Sequence, residues 1–175
     1  MLKRIGMILT ASVIALVCSP MPAYAQGAFI TPFIGSVFGG DVPSTRATYG
    51  GAIAGMGTMF GAELEFGYTP TLFEVENTDA NLLTLTVNVL ASLPLGRLHP
   101  YASGGIGLMR QQTSVSLPGF LNDITDNDFG YSFGGGAWVM FTDHVGLRGD
   151  VRYFRIRKAD GFNFGRAAGG LVWAF

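Results

Sequence analysis

Cysteine is nearly absent from this chain. Cys18 is the single cysteine among 175 residues, and it lies in an N-terminal segment that we expect to be removed. Disulfides and cysteine-ligated metal sites are therefore excluded. Charge is also scarce, with 11 Lys and Arg against 12 Asp and Glu, which excludes the basic surface that a nucleic-acid partner requires. A second apolar run of about 20 residues is missing too, which excludes a transmembrane helix.

The N-terminus has the pattern of a secretory signal peptide. Two basic residues precede an apolar run over residues 5–17, and the small-x-small triplet at 23–25 offers a cleavage site. The sequence therefore predicts a cleaved signal peptide at residues 1–25 and a mature chain from 26 to 175. A lipid anchor on Cys18 is disfavoured because Val17 stands where a lipobox requires a small residue.

The chain is rich in glycine and phenylalanine, and its side chains alternate with a period of two. It contains 26 Gly and 14 Phe, a composition typical of many short strands. In the last predicted strand, Phe164 to Phe175, the large side chains of Leu171, Trp173 and Phe175 share one face, and mostly small or charged ones share the other. Apolar groups outside and polar groups inside are typical of a membrane barrel, whose closure also removes open sheet edges.

Alternation and turn signals divide the mature chain into eight strands. Short turns alternate with longer polar loops, as in transmembrane barrels. The predicted strands cover residues 28–38, 48–59, 61–68, 82–93, 101–111, 130–141, 145–157 and 164–175, with longer loops at 39–47, 70–81, 112–129 and 158–163. An even number of strands places both termini on the same side of the membrane. Because the short turns of such barrels are periplasmic, both termini are expected in the periplasm. The predicted fold class is all-β, an eight-stranded antiparallel up-and-down transmembrane barrel.

Three stretches carry a family resemblance: P-Y-A-S-G-G-I-G-L at 100–108, G-G-G-A-W-V-M-F at 134–141 and H-V-G-L-R-G-D-V-R-Y-F at 144–154. They are similar to the eight-stranded outer-membrane beta-barrel domain family, which includes the OmpA transmembrane domain and OmpX. The resemblance implies an outer-membrane protein of a Gram-negative bacterium, with Phe175 as the signal that the barrel assembly machinery recognises. Because nothing follows Phe175, we expect neither the peptidoglycan-binding domain of full-length OmpA nor its cell-wall tether.

Six charged residues on predicted strands three, seven and eight face the lumen by parity: Glu63, Glu65, Arg148, Asp150, Arg152 and Arg166. Side chains fill the lumen of a barrel of this size, and charges buried there must be paired. We therefore expect an ion-pair network that plugs the lumen and fixes the strand register. An alternative is a switching pore, because OmpA-like barrels carry a similar cluster that is sometimes interpreted as a gate.

A second basic group ends predicted strand seven. Arg155 and Arg157 lie by parity on the face of Tyr153, and Lys158 follows them at the expected outer rim. A lipid-facing arginine costs about 2–4 kcal/mol at mid-membrane and almost nothing at the interface. Because guanidinium binds phosphate in a bidentate way, these residues are predicted to contact lipopolysaccharide phosphates. The alternative is that they extend into water.

The sequence predicts no catalytic residue, no cofactor and no metal site. The acidic segment Asn122 to Gly130 misses the EF-hand spacing, so it is interpreted as a solvated loop. His99 and His144 are predicted to be exposed residues of separate periplasmic turns. Lipid A deacylases of this barrel class need a histidine and a serine at the opposite, outer rim, which disfavours a hydrolase.

These features predict an integral outer-membrane barrel protein of structural or interaction type. The expected partners are outer-membrane lipids and lipopolysaccharide, an extracellular molecule at the outer loops, and the barrel assembly machinery. No nucleic acid is expected, and the protein is predicted to be a monomer. The alternatives are a porin-like channel for small solutes, a lipid A-modifying enzyme and a soluble lipocalin-like binder. The last is disfavoured because charges occupy the face that would have to line an apolar ligand pocket.

Overall fold

Eight antiparallel strands form a closed barrel. The computed structural model describes residues 27–42, 44–75, 78–117, 120–157 and 161–175. Within them the strands are β1 (Gly27–Phe38), β2 (Arg46–Met56), β3 (Phe60–Val75), β4 (Thr78–Ser92), β5 (Leu98–Leu117), β6 (Phe120–Met140), β7 (Val145–Ile156) and β8 (Phe162–Ala174). Each strand pairs with the next along the chain, and β8 pairs with β1. The predicted barrel is confirmed. In the part of the chain that the structure describes, no helix is long and apolar enough to span a bilayer.

The two ends of the barrel differ in their connections. The turn end carries Gly27, Phe175 and the short connections 57–59, 93–97 and 141–144. The hairpin end carries the connection 39–45 and the tips of the β3–β4, β5–β6 and β7–β8 hairpins. The predicted signal peptide, residues 1–25, lies outside the described residues.

Two of the predicted loops are wrong. β3 continues to Val75 and β4 begins at Thr78, and β5 continues to Leu117 before β6 begins at Phe120. The segments predicted as loops 70–81 and 112–129 therefore form mostly paired strand. Apolar alternation did not reveal these strand segments, because the hydrogen bonds between strands join backbone groups and do not depend on the side chains. Where neither face has to meet lipid, a strand needs no apolar alternation.

Side chains alternate between the outer face and the lumen, as predicted for the last strand. Leu171 and Trp173 of β8 are 57% and 56% exposed, whereas Val172 and Arg166 are buried in the lumen. Large apolar side chains such as Ile53 and Val89 are exposed on the outer face of other strands. An apolar outer face is suited to contact with the hydrocarbon of a membrane. A closed sheet is suited to it as well, because its backbone N–H and C=O groups are paired between strands and need no water.

The interior is layered along the barrel axis. A turn-end cluster of buried apolar residues consists of Ala54, Met56, Leu90, Tyr101, Trp138 and Val172. A hairpin-end cluster consists of Val37, Val42, Leu82, Met109, Phe154, Ile156 and Phe164. Between them lie buried charged residues. Neither apolar cluster was predicted from the sequence.

Candidate functional site

The structure brings the six predicted lumen charges together in one central network. Its hub is Arg152 of β7, which is 1% exposed. The guanidinium of Arg152 contacts carboxylate oxygens of Glu63 at 2.8 Å, Glu65 at 3.2 Å and Asp150 at 3.3 Å. Glu63 and Glu65 are two residues apart on β3, and Asp150 and Arg152 are two residues apart on β7. Residues two apart on a strand share a face, so all four side chains point into the lumen.

Two further arginines complete the central network on either side of the hub. Arg148 pairs with Glu63 and, at 3.1 Å, with Asp150. Arg166 of β8 pairs with Glu65 at 2.9 Å. Three guanidinium groups thus face three carboxylates, so the formal charges within the network cancel. Such compensation is needed because an unpaired charge in a dry interior is very costly.

Neutral polar residues that the sequence analysis did not nominate also belong to this network. The amide of Asn88 donates hydrogen bonds to Glu63 and to Thr86, both at 3.1 Å, and the Ser132 hydroxyl donates to Asn88 at 3.2 Å. A side chain at Gly105 would collide with the Asn88 amide, so glycine makes room for this contact. The sequence could have indicated these partners, because Thr86 and Asn88 lie at alternate positions of β4 and therefore share its lumen-facing side.

Tyr101 of β5 links the network to the turn-end cluster. Its hydroxyl donates a hydrogen bond to Asp150 at 2.7 Å and accepts one from Arg148 Nε at 2.7 Å. Its ring lies 4.7 Å from that of Trp138. One side chain therefore joins the charged layer to the apolar layer beneath it.

Little free volume remains beside the charges. Two cavities border Arg148, one towards Trp138 and one towards Asp150, and each has a volume of about 10 Å³. A cavity needs roughly 10–15 Å³ to hold one water molecule. These cavities are too small for a solute or a hydrated ion.

A row of exposed arginines crosses the outer face at the hairpin end. Arg155 and Arg157 of β7 are exposed, as predicted from parity, and Lys158 lies outside the described residues. Arg110 of β5 is exposed on the same outer face and was not predicted. β6 separates β5 from β7. Arg110 pairs in register with Asn127 of β6 and Arg155 with Tyr131, four residues further along that strand, so Arg110 and Arg155 are roughly 16 Å apart. We call Arg110, Arg155 and Arg157 the basic rim.

Aromatic side chains lie between the arginines of the basic rim. Phe129 and Tyr131 of β6 are 47% and 37% exposed. Tyr131 pairs in register with Arg155, and the backbone N–H of Arg157 donates to the carbonyl of Phe129 at 2.9 Å. Cationic groups beside aromatic rings suit an interface between lipid and water.

At the turn end, the structure corrects the prediction for His99. Because β5 begins at Leu98, His99 lies on a strand rather than in a turn, and it is half-buried. Its ring is stacked on that of Trp138, with centroids 5.8 Å apart. His144 is an exposed turn residue, as predicted. Phe175 is exposed, and its backbone N–H donates to the carbonyl of Ala28 at 3.0 Å.

The acidic segment 122–130, predicted to be a loop, lies within β6. Among the described residues, no group of three or more His, Cys, Asp or Glu side chains could hold a metal ion.

Comparisons with known proteins agree with this architecture. A family model for the outer membrane protein beta-barrel domain matches residues 11–175. No curated protein matches the sequence. Neisserial surface protein A (NspA) has a similar structure, with a TM-score of 0.66 at 15% identity, over 86% of this chain and 98% of that one.

Two further solved structures are similar. The N-terminal β-barrel domain of Pseudomonas aeruginosa OprF has a TM-score of 0.56 at 18% identity, over 85% of this chain and 98% of that one. Ail of Yersinia pestis, in complex with the heparin analogue sucrose octasulfate, has a TM-score of 0.58 at 14% identity, over 85% of this chain and 99% of that one. At these identities the likeness shows the fold alone.

Proposed function

Because the chain belongs to the outer membrane protein beta-barrel domain family, we propose that it serves in the outer membrane as a plugged, non-enzymatic barrel. Its hairpin end contacts lipopolysaccharide or an extracellular partner. The plugged lumen is supported by the layering of the interior. A network of charged side chains with no net formal charge lies between two apolar clusters. A hydrated ion would have to displace both clusters and break buried ion pairs.

Conductance distinguishes this proposal from a channel. The purified barrel in a planar lipid bilayer is expected to give no stable current steps, whereas a porin in the same bilayer serves as the positive control. Steps of constant, sizeable conductance would contradict the plugged lumen and favour the channel for small solutes.

The basic rim supports contact with lipid phosphates. Arg110, Arg155 and Arg157 present guanidinium groups at the outer face beside Phe129 and Tyr131. Guanidinium can bind a phosphate through two parallel hydrogen bonds, and the aromatic rings can pack against the acyl chains below it. The similar structure of Ail holds a polyanionic sugar, sucrose octasulfate, which is consistent with an anion-binding rim on this fold.

The long hairpins support a contact beyond the membrane. β3 pairs with β2 as far as Tyr68 but with β4 as far as Val75. β6 pairs with β5 from Phe120 and with β7 from Gly130. The four strands β3 to β6 therefore continue as one sheet past the rest of the barrel wall, where a molecule outside the cell can reach them.

A triple variant tests the role of the basic rim. Arg110→Ala/Arg155→Ala/Arg157→Ala is expected to bind lipopolysaccharide about tenfold or more weakly, since a hydrogen bond to a charged group contributes roughly 1.5–3 kcal/mol. Binding of lipopolysaccharide to the detergent-folded barrel can be followed by co-sedimentation at several salt concentrations. Wild-type binding should fall as salt rises.

Arg97→Ala is the matched control, because Arg97 is an exposed arginine at the turn end. It should bind as the wild type does. If the triple variant bound lipopolysaccharide as tightly as the wild type, and wild-type binding did not depend on salt, the basic rim would not be the lipopolysaccharide-binding site.

The route to the membrane is also part of the proposal. Residues 1–25 act as a cleaved signal peptide, the barrel assembly machinery recognises Phe175, and the folded protein is a monomer. Phe175→Ala should slow assembly in cells, measured as the fraction of protein that reaches the folded form. Unchanged assembly would exclude Phe175 as the signal.

A further inference from the structure

A cavity of about 140 Å³ opens at the turn end of the lumen. Its lining includes two thioethers, one imidazole and one indole, from Met56, Met140, His99 and Trp138, with the carboxylate of Asp143 beside them. These residues come from β2, β5, β6 and the β6–β7 turn, so only barrel closure brings them together. The cavity is separate from the central network and from the basic rim.

Both methionine side chains face the lumen at this end. Met56 is 4% exposed, and Met140 packs against the turn-end cluster. Each sulfur lies over a glycine of the neighbouring strand: a Cβ at Gly61 would collide with the Met56 sulfur, and one at Gly146 would lie 2.7 Å from that of Met140. Both side chains line the cavity, and each has three rotatable bonds through which its sulfur can change direction while the backbone stays in place.

His99 brings an imidazole to the same cavity. Its half-buried imidazole is stacked on the Trp138 ring at 5.8 Å and borders the cavity together with Met140 and Asp143. A cation bound to this imidazole would lie close to the electron-rich indole, which attracts cations. The Asp143 carboxylate adds a negative charge at the opening.

We propose that this turn-end cavity binds a soft monovalent metal ion, Cu(I) or Ag(I), through the sulfurs of Met56 and Met140 and the imidazole of His99. Thioether ligands select soft ions such as Cu(I). Calcium and magnesium require about six or more oxygen ligands, whereas three side chains of the lining carry oxygen, those of Thr58, Ser92 and Asp143. The site adds a metal-binding capacity at the periplasmic end to the proposed function and does not depend on the lipopolysaccharide contact.

Silver provides a redox-inert probe, and the chain offers an internal reporter. The sequence contains two tryptophans, and Trp173 lies on the outer face, so Trp173→Phe leaves Trp138 as the single tryptophan, which can be excited selectively over tyrosine. Titration of silver nitrate into this detergent-folded, chloride-free protein is expected to quench Trp138 fluorescence saturably at one equivalent. An absence of saturable quenching would overturn the proposal.

Variants assign the ligands. In the same background, Met56→Leu/Met140→Leu and His99→Gln should each weaken silver binding about tenfold or more. Even the loss of a residue that only hydrogen-bonds to a metal ligand lowers metal affinity roughly 10–100-fold. Leu is close to Met in volume, and the unboiled gel band verifies folding. Met109→Leu, in the hairpin-end cluster, and Met59→Leu, at an exposed turn position, are matched controls that should bind silver as the background protein does.

Equal affinity in the Met56→Leu/Met140→Leu protein would overturn the assignment. So would displacement of silver by an equimolar amount of calcium or zinc. Competition with a chromogenic Cu(I) chelator then tests the copper form: the background protein should withdraw Cu(I) from the chelator and the double variant should not.

Discussion

The two arginines Arg152 and Arg155 are three residues apart on the same strand and have opposite surroundings. Arg152 faces the lumen, buried against three carboxylates, whereas Arg155 lies exposed on the outer face near Tyr131. The period of two along a strand decides which environment each side chain meets. The same guanidinium group is therefore a structural element in one case and a candidate phosphate ligand in the other.

Replacement of Arg152 by Leu is expected to lower the free energy of unfolding by about 3–5 kcal/mol, because removal of one partner leaves a buried charge uncompensated. Glu63 and Glu65 would each lose a contact to the hub. Urea unfolding of the detergent-folded protein, followed by tryptophan fluorescence, measures the change.

Arg155→Leu is the control on the same strand, and its unfolding midpoint should stay close to that of the wild type. If both variants shift the midpoint equally, the central network does not stabilise the barrel more than a surface arginine does.

Residues 39–42, which follow β1, are held against β8 at the hairpin end. The backbone N–H of Asp41 donates to the carbonyl of Asn163 at 2.9 Å, and the Asp41 carboxylate accepts hydrogen bonds from Asn163 N and Nδ2, both at 2.8 Å. Gly40 has a φ of 62°, and a Cβ there would collide with Asn163. This clamp holds Val42, which is 6% exposed, in the hairpin-end cluster.

Asp41→Ala should release this connection without unfolding the barrel. The Asp41 hydrogen bonds are expected to contribute roughly 1–2 kcal/mol to the stability of the connection. Because their loss makes local opening more frequent, backbone amides of the connection should exchange with deuterium about tenfold faster. Hydrogen-exchange mass spectrometry of the peptide that contains Val42 measures the effect. Asp143→Ala, at the turn end, should leave that peptide unchanged. Wild-type protection in Asp41→Ala would show that packing of Val42 alone holds the connection.

Across the whole molecule, closure and layering act together. The sheet has no free edge along the barrel wall because β8 pairs with β1 over residues from Phe29 to Phe38. Inside, the central network lies between two apolar clusters. Opening such a barrel requires the loss of strand pairs and core contacts in one step. Among the described residues, many large apolar side chains are exposed on the outer face of the wall.

The intact barrel should therefore resist detergent until it is heated. Unboiled protein from the outer-membrane fraction is expected to migrate on a gel at a different position from boiled protein. Two samples of the same fraction, one boiled and one not, provide the measurement. A single band that boiling does not move would be inconsistent with a closed, fully packed barrel.

The fold was largely predictable from the sequence because a membrane barrel imposes a strict pattern on it. Leu171 and Trp173 must be apolar to face lipid, and Arg148 and Arg152 must avoid lipid, so parity alone places them correctly. The hairpin extensions to Val75 and Leu117 were missed because their sequences lack this alternation, whereas their backbones pair whatever side chains they carry.

The sequence by itself determined the strand count, the faces of the strands and the charges that share the lumen, because these follow from a local period of two. Only the tertiary structure decided which residues meet at each height of the barrel. Closure brings Val37 and Phe154 into one cluster and Tyr101 against Asp150. Register between neighbouring strands places Asn88 beside Glu63 and His99 beside Trp138. Those contacts depend on the register between strands, and register is a property of the closed sheet rather than of any single strand.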